Sequence, residues 1–253
     1  MKVEGSRILI TGGAGGIGSA ASLDLAGRGA SVLAVDVDEA ALTRLAGLAR
    51  KQGLPLTLEK ADISQEEQVV SLMATCRSRL GGLDVLVNNA GVVDHGALVR
   101  PMADGLEKMS LQRWQKVIDV DLTGVFLGSR EAAGLMIEQG TGGVIVNISS
   151  FWRKGRPKQS AYSAAKAGVV ALTKAWADEL AAYGIRSMAV APGYIDTPMT
   201  RLIPPPAREK IAAEAIPMGR FGRPEEVAMA IRFIISNDYL TGRVLDLDGG
   251  ADE

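Results

Sequence analysis

The chain has one cysteine and one histidine in 253 residues. A single thiol, Cys76, can form neither an internal disulfide nor a cysteine cluster for zinc, so a reducing interior is the expected setting. The single His95 excludes an HExxH metal site, and it would have to be the base of any Ser-His-Asp triad. An excess of either charge is missing too, since 28 Lys plus Arg stand against 29 Asp plus Glu. That balance argues against a nucleic-acid or membrane surface built on bulk positive charge. No apolar run approaches the ~18 residues of a membrane span. The opening Met1-Lys2-Val3-Glu4-Gly5 carries no apolar leader core. A soluble, cytoplasmic protein without a metal site is the expectation.

What is present is an alternation of short apolar runs with helical stretches. Strands are expected at 7–11, 31–36, 56–59, 85–88, 144–148, 187–190 and 243–247, several of them apolar on successive residues. Strands buried on both faces of a parallel sheet have that pattern. Helices are expected at 17–27, 39–51, 66–79, 111–138, 161–183 and 225–236. Ser64-Gln65-Glu66-Glu67 has the form of a capping box for the third, and Pro224 suits a first helical turn. The pattern predicts βαβ units in a doubly wound α/β sheet. With no repeat or linker-like shift in composition, residues 1–253 form a single domain.

The first strand runs through Thr11 into Gly12-Gly13-Ala14-Gly15-Gly16-Ile17-Gly18 and then a helix. Glycines there let the backbone turn tightly and approach a pyrophosphate, whose charge sits at the positive helix end. Asp36 closes the second strand, where a carboxylate can accept hydrogen bonds from a ribose diol and repel a 2′-phosphate. No Arg or Lys lies immediately beside it, only Asp38 and Glu39. NAD is therefore expected over NADP.

The spacing Thr-Gly-x-x-x-Gly-x-Gly resembles that of the short-chain dehydrogenase/reductase superfamily, and further motifs of that family follow in order. They are Asn88-Asn89-Ala90-Gly91, Asn147-Ile148-Ser149-Ser150, Tyr162-x-x-x-Lys166, Pro192-Gly193-Tyr194-Ile195-Asp196-Thr197-Pro198 and Asp248-Gly249-Gly250. The resemblance implies a single Rossmann-type domain of about seven parallel strands flanked by helices, commonly a homotetramer. It places Asp62 and Ile63 against adenine and Asn89, with Ala90 and Gly91, along the cofactor. Beyond Pro192 and Gly193, Thr197 and the backbone of Ile195 would hold the carboxamide.

Hydride transfer at a carbonyl carbon requires a proton to move at its oxygen. With no evident histidine for the task, the available acid/base is a phenol, whose unperturbed pKa is about 10. Tyr162 and Lys166 are four apart on one helix face, so the ammonium favours the phenolate. Lys166 can also reach the nicotinamide ribose, and Ser150 would hold the substrate oxygen in line with Tyr162. The implied reaction interconverts a secondary alcohol and a ketone with NAD. A 3-oxoacyl-thioester reductase is the alternative, and an NAD-binding sensor without turnover is a third.

Two departures stand out. The loop between the serine pair and Tyr162 is about a residue shorter than in the resembling enzymes, which leaves Ser149 as an alternative to Ser150. Asp121 occupies the position of a family Asn that anchors a water relay behind the lysine. It is a candidate fourth catalytic residue, and its charge would partly cancel the effect of Lys166 on Tyr162. An Asn there is expected to restore the relay and keep most activity.

Segments 92–110, 151–160 and 198–221 should line the substrate side. Arg153, Lys154, Arg156 and Lys158 make the second basic, which reads as a solvated loop or as a site for an anionic substrate. Pro204-Pro205-Pro206 should stiffen the third. Gly124, Gly128, Ala132, Ala133, Ala164, Ala165, Gly168 and Ala171 would permit helices of two copies to approach closely. Val169, Leu172, Trp176 and Leu180 should face the chain's own sheet.

Overall fold

A computed structural model describes residues 1–251. Seven parallel strands form the sheet: β1 (Arg7–Thr11), β2 (Ser31–Asp36), β3 (Leu56–Lys60), β4 (Val85–Asn88), β7 (Gly143–Ile148), β8 (Ile185–Pro192) and β9 (Val244–Leu247). Their order is β3-β2-β1-β4-β7-β8-β9. The direction of winding reverses between β1 and β4, whose ends at Thr11 and Asn88 are register partners. Ligands of open α/β sheets bind in the crevice at such a reversal.

Both faces of the sheet are covered, which explains the uninterrupted apolar runs. Ile8, Ile10, Val32, Val85, Val87, Val144 and Val146 pack on one side against α1 (Gly16–Ala26) and α8 (Pro224–Ser236). Leu9, Leu33, Leu86 and Ile145 point the other way, toward α3 (Glu66–Thr75) and α5 (Gly124–Gln139). α2 (Glu39–Lys51) follows β2, and α6 (Ser160–Glu179) packs against β8. A buried polar chain ties α5 and α6 to the sheet. Asn88 donates to Ser129 Oγ (2.9 Å) and Asn147 Oδ1 (2.8 Å), and Asn147 donates to Thr173 Oγ1 (2.9 Å). Asn147→Ala removes a partner from each neighbour without supplying water. The expected result is a loss of about 1–3 kcal/mol in denaturant unfolding.

Several expectations change. The helix foreseen at 111–138 is two helices, α4 (Leu111–Ile118) and α5, joined by a π-helical turn at Asp119–Thr123. No capping box forms at Ser64. Its hydroxyl donates to Asp62 Oδ1 at 2.7 Å, and the helix starts after Gln65 with no side-chain cap. Segment 92–110 contains an exposed antiparallel hairpin, β5 (Val99–Met102) with β6 (Gly105–Lys108). The proline run does not stiffen a loop. Pro205 and Pro206 open α7 (Pro205–Glu214), in the first turn, where missing N–H groups leave no bond unmade.

Of the small residues, Gly124, Gly128 and Gly168 are used within the chain, whereas Ala164 and Ala171 are exposed on α6. A Cβ on Gly124 would overlap Ile63, one on Gly128 would lie 2.9 Å from Asn88 Oδ1, and one on Gly168 2.9 Å from Leu122. The inward face of α6 is Val169, Thr173 and Ala177, and Leu180 just past its end packs against the core, while Leu172 and Trp176 are half-buried.

Candidate active site

The carboxyl ends of β2, β1, β4 and β7 open side by side onto a cavity of about 490 Å³. Neighbouring strands lie about 4.8 Å apart, so the three spacings from β2 to β7 span about 14 Å. Asp36, Asp38 and Arg44 line one end and Ser150, Trp152, Tyr162 and Lys166 the other. Gly12, Gly15, Gly16 and Ile17 line it between these ends, together with Asn89, Ala90 and Gly91. Asp62, Ile63, Pro192, Gly193, Ile195 and Thr197 also face it. Two of the expected cofactor residues stand behind this wall. The Thr11 hydroxyl accepts the Asn89 and Ala90 N–H groups at 3.1 and 3.2 Å. Gly18 packs under the Gly12 carbonyl, where a Cβ would overlap that oxygen.

These residues fit an elongated anionic ligand. Gly12 has φ +59°, and a Cβ there would come 2.7 Å from Ala90 Cα. Asn89 Nδ2 fixes the turn by donating to the Gly12 carbonyl at 2.9 Å. Helix α1 starts at Gly16 without a side-chain cap and without an acid in its first turn, so its N–H groups are left to an anion. Thr197 and Pro198 close over the same turn, where a Cβ on Gly16 would strike them. Asp36 is held by the N–H groups of Ala14 (3.2 Å) and Asp38 (3.1 Å).

At the other end the two serines divide their work. Ser149 is buried and its hydroxyl donates to the Lys166 carbonyl at 2.9 Å, so its proton is committed to the backbone. Ser150 Oγ accepts the Trp152 N–H at 3.2 Å and lines the cavity together with Tyr162. The turn Phe151–Lys154 carries the short loop round to the start of α6.

The chain is similar to known dehydrogenases and reductases. A family model described as Enoyl-(Acyl carrier protein) reductase matches residues 12–252. The chain is 43% identical over 255 residues to the 3-oxoacyl-(acyl-carrier-protein) reductase FabG of Thermotoga maritima, covering 99% of each chain. It is 42% identical over 245 residues to the cis-4-hydroxycyclohexanecarboxylate dehydrogenase of Sinomonas cyclohexanicum, covering 96% of this chain and 94% of the relative. A solved short-chain type dehydrogenase/reductase from Mycobacterium marinum matches with a TM-score of 0.87 at 36% identity, over 98% of this chain and 96% of that one.

The chain belongs to the short-chain dehydrogenase/reductase superfamily. It is an oxidoreductase acting on CH–OH groups, in a family that works with a nicotinamide cofactor. Its Tyr162 phenol stands above its ordinary pKa, because burial disfavours the phenolate first of all. Lys166 and the Ser150 hydrogen bond oppose that rise, and the Asp121 carboxylate adds to it. Burial would lower Lys166, but the Asp121 carboxylate beside it keeps the ammonium above the usual lysine value.

Several features of this short-chain dehydrogenase/reductase site were not legible in the motifs. Arg44 lies more than a helical turn beyond Asp36 yet returns to the cavity, 3.7 Å from Asp38. Tyr194, Phe151 and Trp152 build an aromatic wall with ring centroids 5.1–5.7 Å apart, and Trp152 meets Tyr162 edge-on at 6.2 Å. Of the three substrate-side segments, only Val92, Val93, Phe151, Trp152, Pro198, Met199 and Thr200 line the cavity. The exposed hairpin does not. Arg153 pairs with Asp246 at 2.7 Å and donates to the Ser150 carbonyl at 3.2 Å, so it is turned from the cavity. Arg156 stacks on Trp152 at 5.3 Å.

Proposed function

We propose that this enzyme interconverts a secondary alcohol and a ketone with NAD(H), using Tyr162 as acid/base on a compact substrate with an apolar body. The observation that carries the reading is the convergence of Ser150, Tyr162 and Lys166 on one end of a cavity whose other end is Asp36. In this reading, Gly12 to Ile17, Asn89 and Thr197 hold the dinucleotide. When bound, it supplies or accepts the hydride. Ser150 donates a hydrogen bond to the substrate oxygen and fixes it beside the phenol. Tyr162 then gives its proton to the developing alkoxide, or takes it back in oxidation. Lys166 keeps a positive charge beside the phenol, and its ammonium also donates to the Ile148 carbonyl at 3.0 Å, which fixes its direction. Asp121 completes the group from beneath.

The aromatic wall of Phe151, Trp152 and Tyr194 supports the apolar, ring-sized substrate, and the relative named for a hydroxycyclohexanecarboxylate is in keeping with it. A 3-oxoacyl thioester is the second reading, favoured by the names of the Thermotoga relative and of the family model. An anionic substrate loses much of its support because Arg153 is already paired with Asp246.

Asp36 supports NAD over NADP, since its carboxylate would face a 2′-phosphate. NADH should bind at least about tenfold more tightly than NADPH, the equivalent of about 1.4 kcal/mol. Asp36→Ala should narrow that gap, and Arg44→Ala should weaken NADPH more than NADH. Fluorescence titration of the reduced cofactors checks both, and equal affinities for the unmodified protein would contradict the preference.

Assembly as a homotetramer is proposed on two separate apolar areas. Leu111 and Phe126 are exposed on α4 and α5, and Met229, Phe233 and Tyr239 on and after α8. Two self-complementary patches suffice for a closed assembly of four copies. A stable monomer in light scattering would contradict it. No helix among the described residues is long and apolar enough to cross a membrane, and the lone buried thiol suits a reducing cytoplasm.

A further inference from the structure

Beneath the catalytic pair lies a carboxylate with no exposure at all. Asp121 sits in the π-helical turn between α4 and α5, and each of its oxygens faces a donor. Oδ1 accepts the Val92 N–H at 2.8 Å. Oδ2 lies 3.1 Å from the Lys166 ammonium, which is itself 5.5 Å from the centre of the Tyr162 ring. Gly91 permits the approach, since a Cβ on it would come 3.0 Å from Oδ2 and 3.4 Å from Lys166 Nζ.

Among the described residues, the other elements packed here bring no further charge. Strand β7 contributes the Ile148 carbonyl, and the two residues after it contribute the hydroxyls of Ser149 and Ser150. The segment after β4 contributes Asn89, Gly91 and the Val92 backbone. Asp94 is paired with Arg113. On the same turn as Asp121, Asp119 accepts from Gln115 at 2.7 Å. The charge cluster is therefore buried Asp121 and Lys166 with half-buried Tyr162.

A poorly solvated cluster favours the state of zero net charge. With Asp121 and Lys166 both ionised, that state holds Tyr162 as a neutral phenol, and forming the phenolate leaves one net negative charge. With a neutral residue at 121, the balance reverses: the phenol would leave the ammonium uncompensated, and the phenolate would restore neutrality. Given the acid/base assignment of Tyr162, we infer that Asp121 is a positioning residue that keeps Tyr162 protonated by compensating Lys166, so that this site is set to donate a proton to a carbonyl. Reduction then runs from the resting protonation state. Oxidation must first lose the phenol proton, and its rate rises only at alkaline pH.

The test needs no substrate. Ultraviolet titration of phenolate in the cofactor-free protein, minus the same titration of Tyr162→Phe, isolates this phenol from Tyr183, Tyr194 and Tyr239. Asp121→Asn and Asp121→Ser, each with its own Tyr162→Phe blank, should lower its midpoint by about one pH unit or more. Asp121→Asn sets an amide donor against either Val92 or Lys166, so it need not keep most activity as the family pattern suggested. Asp121→Ser removes the charge without that clash and serves if the Asn variant fails to fold. The shift should persist in high salt because the pair is buried. Midpoints unchanged in both variants, or moved upward, would overturn the inference. The acid/base reading fails separately, if Tyr162→Phe retains turnover.

Discussion

Tyr162→Phe is expected to lower kcat/KM about 10²–10⁴-fold in both directions while leaving dinucleotide affinity nearly unchanged. The substitution removes one oxygen and keeps the ring. Its edge-on contact with Trp152, at 6.2 Å between centroids, is retained. Ser150 and Lys166 remain to polarise the substrate oxygen, so some rate should survive. What is lost is the phenol oxygen proposed to pass a proton to the carbonyl oxygen. Rates with saturating reduced cofactor, alongside a cofactor titration, separate this outcome from a general loss of structure. A variant that lost cofactor binding and turnover together would instead point to a packing role.

Gly18→Ala should weaken dinucleotide binding strongly although Gly18 lines no part of the cavity. Its added Cβ would overlap the Gly12 carbonyl oxygen and lie 2.7 Å from Asn89 Nδ2. Neither neighbour can yield. The Gly12 carbonyl is the acceptor for Asn89, and Gly12 is already in the left-handed region beneath Ala90. Relief requires moving α1 away from β1, which opens the cradle. Overpacking of this kind costs about 1–3 kcal/mol of stability. The same energy taken from binding is a fall in affinity of roughly tenfold to a hundredfold. Gly47→Ala is the matched control, because a Cβ there meets nothing within 4 Å in the middle of α2. It should stabilise the protein by about 0.5–1 kcal/mol and leave cofactor binding alone.

The layout of the fold was readable because burial on both faces leaves an unbroken apolar run, as in Ile8-Leu9-Ile10, whose residues belong alternately to the two cores. The glycine turn, Asp36 and the Tyr162–Lys166 pair were readable because their chemistry depends on spacing along one element. Features set by contacts between distant segments were not. Arg44 reaches the cavity only because α2 packs where it does, and the hydrogen bonds of Ser149 become visible only when β7 is set against α6. The π-helical turn that carries Asp121 contains no glycine or proline to mark it, so 111–138 read as one helix. Exposed strands such as Val99–Met102 lack the alternation that a half-buried strand shows, and the hairpin was missed. At Ser64 the local motif has the capping form, but Asp62 captures the hydroxyl, and the helix opens at the expected Glu66 without a side-chain cap.

The most direct test of the account is consumption of NADH by the wild-type protein and by Tyr162→Phe with a panel of cyclic ketones and 3-oxoacyl thioesters. The account predicts turnover of at least one carbonyl by the wild type, weaker activity with NADPH, and loss of turnover in the variant at equal NADH occupancy. Equal turnover by the two proteins, or firm NADH binding with no carbonyl reduced by the wild type, would contradict it.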